Sequence, residues 1–167
     1  RRVLFRSMFA PNADKIQAKA EAVAPTADAK LRGAYLVEGL GHCGACHTPR
    51  NGLAAEKTGE FHLTGGSAEG WDAPALTDKT ASPLPWTKQD LVDYMKTGFS
   101  ARHSVAAGPM APVAHGLSQQ SDADLDAIAT YLMSYRKADA APGDAKALIE
   151  EKTAKPKLAL DAEGYRL

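Results

Sequence analysis

Only two of the 167 residues are cysteine, aromatic residues make up 7%, and no apolar run extends beyond a few residues. Two cysteines cannot supply a four-thiolate metal site. The apolar runs fall far short of the roughly 20 residues a bilayer-spanning helix needs, so the sequence holds no membrane-crossing segment of its own. Excess charge is missing too: 20 Lys plus Arg balance 20 Asp plus Glu, with no run of basic residues. That argues against nucleic acid as a partner. The N-terminus reads Arg1-Arg2-Val3-Leu4-Phe5-Arg6, and Arg6 breaks the apolar stretch a secretory signal requires. A first residue that is not Met suggests a piece of a longer chain, with any signal lying outside it.

What is present divides into segments. Residues 1–30 carry six basic and three acidic groups, 31–136 carry eight and eleven, and 137–167 carry six and six. Residues 1–29 read as a linker rich in Ala, Lys and Pro, with a short helix from Asn12 to Ala24. Residues 30–136 form the domain, 137–160 are a second linker, and 161–167 look like the start of a further domain. Within 30–136, Leu31, Tyr35 and Leu36 give one side of an amphipathic helix that Gly39 and Gly41 stop. Thr48 to Pro85 is dense in Gly, Pro, Thr and Ser and reads as loops wrapped around something; a bound cofactor explains their length. Thr87 to Asp90 is a capping-box pattern opening a helix to about Thr97, with Leu91, Tyr94 and Met95 at helical spacing and Gly98 as terminator. Ser121 opens another, whose Leu125, Ile128, Ala129 and Leu132 form an apolar stripe.

Both cysteines lie in Cys43-Gly44-Ala45-Cys46-His47. Cys-x-x-Cys-His is the attachment pattern of a c-type haem: two thiols one helical turn apart reach the two vinyl groups, and the adjacent histidine ligates the iron. A zinc site would have to recruit scattered histidines. A thioredoxin-like dithiol belongs after a strand, whereas this motif follows a short helix and a glycine-rich turn. A plain disulfide is the weakest alternative.

An electron-carrying haem needs a sixth ligand. The other candidates are Met8, Met95, Met110, Met133, His42, His62, His103 and His115. Met110 is favoured because it lies in what reads as a loop, Ala107 to Ala111, where a thioether is free of core packing, whereas Met95 and Met133 fall on helices. The proximal imidazole also needs an acceptor for its other N–H. The Pro74 carbonyl is a candidate, against the plainer reading of a loop proline. Trp71 could cover the haem edge or donate to a propionate, or simply shield the core. Arg50 reads as a propionate partner or, more simply, a surface arginine.

The string Arg32 to Asn51, with Trp71 to Thr77, Leu91 to Gly98, Ala106 to Met110 and Ser121 to Tyr131, resembles haem domains in cytochrome c subunits of membrane-bound bacterial dehydrogenases, such as quinohaemoprotein alcohol dehydrogenase and gluconate 2-dehydrogenase. The resemblance departs at Ala75, where that family more often has Asn. It implies an all-α, class I cytochrome c-like haem domain of three main helices, with long irregular loops and extended flanks, in which Gly33 to Leu36 cross the Leu125–Leu132 stripe. It also implies one covalent haem c, periplasmic placement, a quinoprotein or flavoprotein dehydrogenase subunit as electron donor, neighbouring haem domains, and ubiquinone downstream. Membrane association would come only through parts outside this chain. Family members carry three haem domains, so this chain is expected to be the middle one of three. The alternatives are a peroxidase-like enzyme or sensor with an open sixth position, or a free-standing soluble carrier.

Overall fold

The computed structural model describes residues 28–82 and 84–136. The linker and tail expectations, with Met8, lie outside the described residues. The elements run α1 (Ala29–Tyr35), continued by a π-helical turn (Leu36–Leu40), then α2 (Gly44–His47), a 3-10 turn (Gly59–Phe61), β1 (Gly66–Ala68), β2 (Trp71–Ala73), α3 (Lys88–Thr97), β3 (Phe99–Ser100), β4 (Ser104–Val105), α4 (Met110–Ser118) and α5 (Asp122–Met133).

Helix starts follow side-chain chemistry. Asp28 accepts from the backbone N–H groups of Lys30 (2.9 Å) and Leu31 (3.2 Å), satisfying two of the orphan donors at the start of α1. Thr87 and Asp90 form the reciprocal capping box of α3, and Gly98 closes that helix in the left-handed conformation. The Ser121 hydroxyl accepts from the Asp124 N–H at 3.1 Å to open α5.

The centre of the fold is the crossing of α1 and α5. A Cβ on Gly33 would collide with the Ala127 carbonyl oxygen and lie 2.7 Å from the Tyr131 Cβ, so the two backbones meet only because residue 33 has no side chain. Arg32 Nε donates to Asp124 Oδ1 at 2.7 Å across the same crossing. Val37, Leu63, Leu91, Met95, Leu125, Ile128, Ala129 and Leu132 form the buried core, so the stripe expected on α5 is the buried one. Of the face expected on α1, Leu36 packs against this core but Leu31 is 58% exposed, and the buried positions are Gly33 and, in the turn that follows, Val37. The π-helical turn, in which Gly41 N–H bonds to Leu36 O at 2.7 Å, belongs to the same helical run.

Two expectations need correction. The domain is mainly helical but not all-α, since β1–β2 and β3–β4 are short antiparallel hairpins, Gly66 opposite Ala73 and Phe99 opposite Val105. There is also a helix where a loop was expected: Met110 opens α4 instead of sitting in a loop. Pro112 sits in its first turn, where a missing N–H removes no intrahelical bond. No helix among the described residues is long and apolar enough to cross a membrane.

Candidate functional site

Cys43 caps the start of α2, separated from the π-helical turn by Gly41 and His42, and its N–H bonds to Val37 O at 3.0 Å. The single turn of α2 then carries Cys46 and His47, with His47 N–H bonded to Cys43 O at 3.0 Å. Both thiols are free and half-buried. Burial pushes the Cys43 thiol up to about 11, and the nearby Glu38 and Cys46 add to the effect.

The His47 ring is oriented by the loops that follow. Its Nδ1–H donates to the Pro74 carbonyl at 2.7 Å, which leaves Nε2 as the nitrogen available to a metal. Burial lowers its pKa, with that hydrogen bond acting against the shift, so the imidazole is neutral at physiological pH and able to ligate. The backbone around it is tied as well. Gly65 N–H donates to His47 O at 2.8 Å, and the buried Thr48 hydroxyl accepts from Leu63 N–H at 3.0 Å. A Cβ on Gly66 would lie 2.9 Å from Thr48 O, so β1 rests directly on the attachment turn.

Arg50 does something neither expectation covered. Its guanidinium donates to Ala45 O at 2.8 Å and to Ala54 O at 2.7 Å, bracing the carbonyls of α2 and the following turn. No pattern distinguishes such an arginine from a solvated one in sequence.

Met110 is half-buried at the first position of α4, and Met110 N–H bonds to Ala107 O at 3.1 Å. Trp71 lies on β2, 55% exposed, and its indole covers Gly108, where an added Cβ would come within 2.6 Å of the ring. Met95 is 5% exposed in the core, and Met133 packs against it, so both have structural work. Among the histidines, His62 Nε2 is 2.8 Å from Glu38 Oε1, an oxygen that also accepts from the Tyr131 hydroxyl at 2.8 Å. His103 stacks on Trp86 with ring centroids 3.7 Å apart, and Ser82 Oγ lies 3.3 Å from its Nδ1. His115 is on α4 and His42 precedes the motif. The described residues contain no group of three or more His, Cys, Asp or Glu side chains that could hold a metal ion.

The donor set therefore fits a covalently attached haem: two unpaired thiols one turn apart, then an imidazole with one nitrogen anchored and the other open.

Comparison with known proteins agrees. The family profile described as cytochrome c matches residues 31–136. A nicotinate dehydrogenase subunit of Pseudomonas putida is 54% identical over 103 residues, covering 62% of this chain and 9% of that protein. The fructose dehydrogenase cytochrome subunit of Gluconobacter japonicus is 49% identical over 105 residues, 62% of this chain and 21% of that one. The gluconate 2-dehydrogenase cytochrome c subunit of Pantoea cypripedii is 40% identical over 146 residues, 82% of this chain and 32% of that one. The chain thus spans less than a third of the length of these relatives.

Proposed function

The chain belongs to the cytochrome c family, whose members carry covalently bound haem c, and from that premise we propose that it is a one-electron relay in which His47 and Met110 would hold the iron. When bound, the haem supplies the one-electron change between ferric and ferrous iron. Cys43 and Cys46 would hold it as thioethers. His47 presents Nε2, while the Pro74 carbonyl keeps the ring proton on Nδ1 and raises the basicity of the ligating nitrogen. Met110 offers a neutral, soft thioether, which favours the reduced state and raises the potential. With His47 and Met110 both holding the iron, the protein would leave no site open for dioxygen or peroxide. No bond need be made or broken by the chain's own residues.

The single observation that carries this reading is the attachment turn itself: free Cys43 and Cys46 one turn apart, with His47 anchored through one nitrogen. The relatives named as dehydrogenase cytochrome subunits support the wider context. In that context the chain is one haem module of a longer electron-transfer subunit on the periplasmic side of the membrane. It accepts electrons from a quinoprotein or flavoprotein dehydrogenase subunit and passes them through neighbouring haem domains toward ubiquinone.

The test is a redox titration of the haem-loaded protein beside its Met110→Ala variant. Loss in the variant of the weak far-red iron–sulfur charge-transfer band, together with a lower reduction potential and new carbon monoxide binding to the ferrous form, is the expected result. An identical spectrum in the two proteins would remove Met110 from the iron. Carbon monoxide binding to the unmodified protein would favour an enzyme or sensor with an open position.

A further inference from the structure

We propose that Trp71 is a positioning residue for Met110, acting through Gly108, and that the β1–β2 hairpin thereby couples the two ligand-bearing segments. The inference rests on the His47/Met110 reading above.

The hairpin is fixed to the histidine side at three points. Gly65 N–H bonds to His47 O at 2.8 Å, the backbone at Gly66 lies against the carbonyls of Cys46 and Thr48, and Pro74 O accepts from His47 Nδ1 at 2.7 Å. Glu69 (φ +53°) and Gly70 (φ +81°) form the two-residue turn between Ala68 and Trp71, and positive φ at both positions gives the tight connection whose twist matches the strands. The hairpin is thus a short, stiff arm projecting from the attachment turn.

Its far contact is on the methionine side. Trp71 Cδ2 and Cε2 would each lie 2.6 Å from a Cβ at residue 108, so the indole sits directly on the glycine backbone. Gly108 has φ +52°, a second reason for glycine there. Its carbonyl accepts from Ala111 N–H at 3.1 Å, and Ala107 O accepts from Met110 N–H at 3.1 Å, so residues 107 and 108 form the entry to α4. Shifting Gly108 shifts the first residue of that helix, which is Met110. The route runs from His47 to the Pro74 carbonyl, back along the chain to Trp71, across to Gly108, and along the chain to Met110. A tryptophan that is 55% exposed adds little to the core; what it contacts is the ligand-bearing entry.

If Trp71 holds Met110 in place, removing the indole raises the fraction of molecules in which the sixth position is open. An external ligand then binds with an affinity scaled by that fraction. The experiment measures imidazole binding to the haem-loaded ferric protein for the unmodified chain, Trp71→Ala, Trp71→Phe, Gly108→Ala and Met110→Ala, with the iron–sulfur band, reduction potential and thermal midpoint recorded for each. Trp71→Ala is expected to bind imidazole about tenfold more tightly than the unmodified chain, a change in the open fraction that population arithmetic permits with the fold intact. Its iron–sulfur band should weaken and its potential fall. Trp71→Phe should restore most of the band, and Gly108→Ala, which pushes the ring away, should reproduce the Trp71→Ala behaviour even if that variant folds poorly. Unchanged imidazole affinity, band and potential in both Trp71→Ala and Gly108→Ala, while Met110→Ala binds imidazole far more tightly, would overturn the inference and leave the ligand assignment standing. No gain in imidazole affinity in Met110→Ala would overturn the ligand assignment and the inference with it.

Discussion

Replacing Gly33 with alanine puts a methyl group between two helix backbones that already touch. The new Cβ would collide with the Ala127 carbonyl oxygen and stand 2.7 Å from both the Ala127 carbonyl carbon and the Tyr131 Cβ. None of these atoms lies at the end of a flexible side chain, so relief requires α1 and α5 to separate. Alanine would gain about 0.8–1.0 kcal/mol over glycine in helix propensity. Overpacking a close contact costs typically about 1–3 kcal/mol, and a rigid backbone contact puts this site at the upper end. The net loss is about 2 kcal/mol once the propensity gain is set against the overpacking cost. For a domain of this size each kcal/mol lowers the melting temperature by about 4–8 °C, so Gly33→Ala should melt about 8–16 °C below the unmodified haem-loaded protein. Gly39→Ala is the control, because its nearest foreign atoms would be Tyr35 ring carbons at an ordinary 3.8 Å. Urea and thermal unfolding followed by far-UV circular dichroism give both numbers. A Gly33→Ala protein as stable as the parent, or more so, would show that propensity outweighs the contact and that the helices do not meet at this residue.

The bond between Arg32 and Asp124, with side chains 16% and 22% exposed, holds the Asp124 carboxyl below the usual carboxylate range. Its stabilisation is therefore fully present above the unfolded carboxylate value of about 3.9 and is lost as pH falls through the lower folded value. Asp124→Asn should cost about 0.5–1 kcal/mol at neutral pH, as partly exposed ion pairs do; a difference from the parent that stays constant down to about pH 3 would contradict the linkage. Removing the haem should abolish cooperative unfolding, since the aromatic content is 7% and half-exposed groups such as Cys43, Trp86 and Leu76 only border the core. A haem-free chain with a sharp, native-like transition would show that the polypeptide packs without it.

Sequence pattern reached those parts of the molecule that short-range chemistry decides. The capping box at Thr87 and Asp90, the serine cap at Ser121 and the α5 stripe are local, and the structure shows each of them. The role of Gly33 could be inferred because a glycine inside a helix costs propensity and so needs a reason. Helix α4 was hidden because Pro109, Pro112 and Gly116 read as breakers, and only position within the first turn makes Pro112 harmless. The buried face of α1 was misplaced at Leu31, which has the right chemistry but the wrong angle; the crossing at Gly33, a tertiary fact, chooses the face. The Arg50 bonds to Ala45 and Ala54, and the indole of Trp71 on Gly108, join segments whose proximity no spacing rule encodes.

The π-helical turn at Leu36–Leu40 has a consequence for how this segment tolerates insertion and deletion. Each residue of an α-helix advances the chain by about 100° around its axis, and a π turn is an α-helix with one residue too many. Deleting any one residue between Leu36 and Leu40 would restore a regular helix and leave Cys43 and all that follows nearly in phase, whereas a deletion in the regular turns of α1 would swing them by about 100° relative to the Gly33 contact. In the second case the turn from Cys43 to His47 would leave the loops that hold it, Gly65 N–H on His47 O among them. An alignment that closes a gap in this stretch, or a graft of the attachment motif onto an ordinary helix, should account for that extra residue before comparing what lies beyond it.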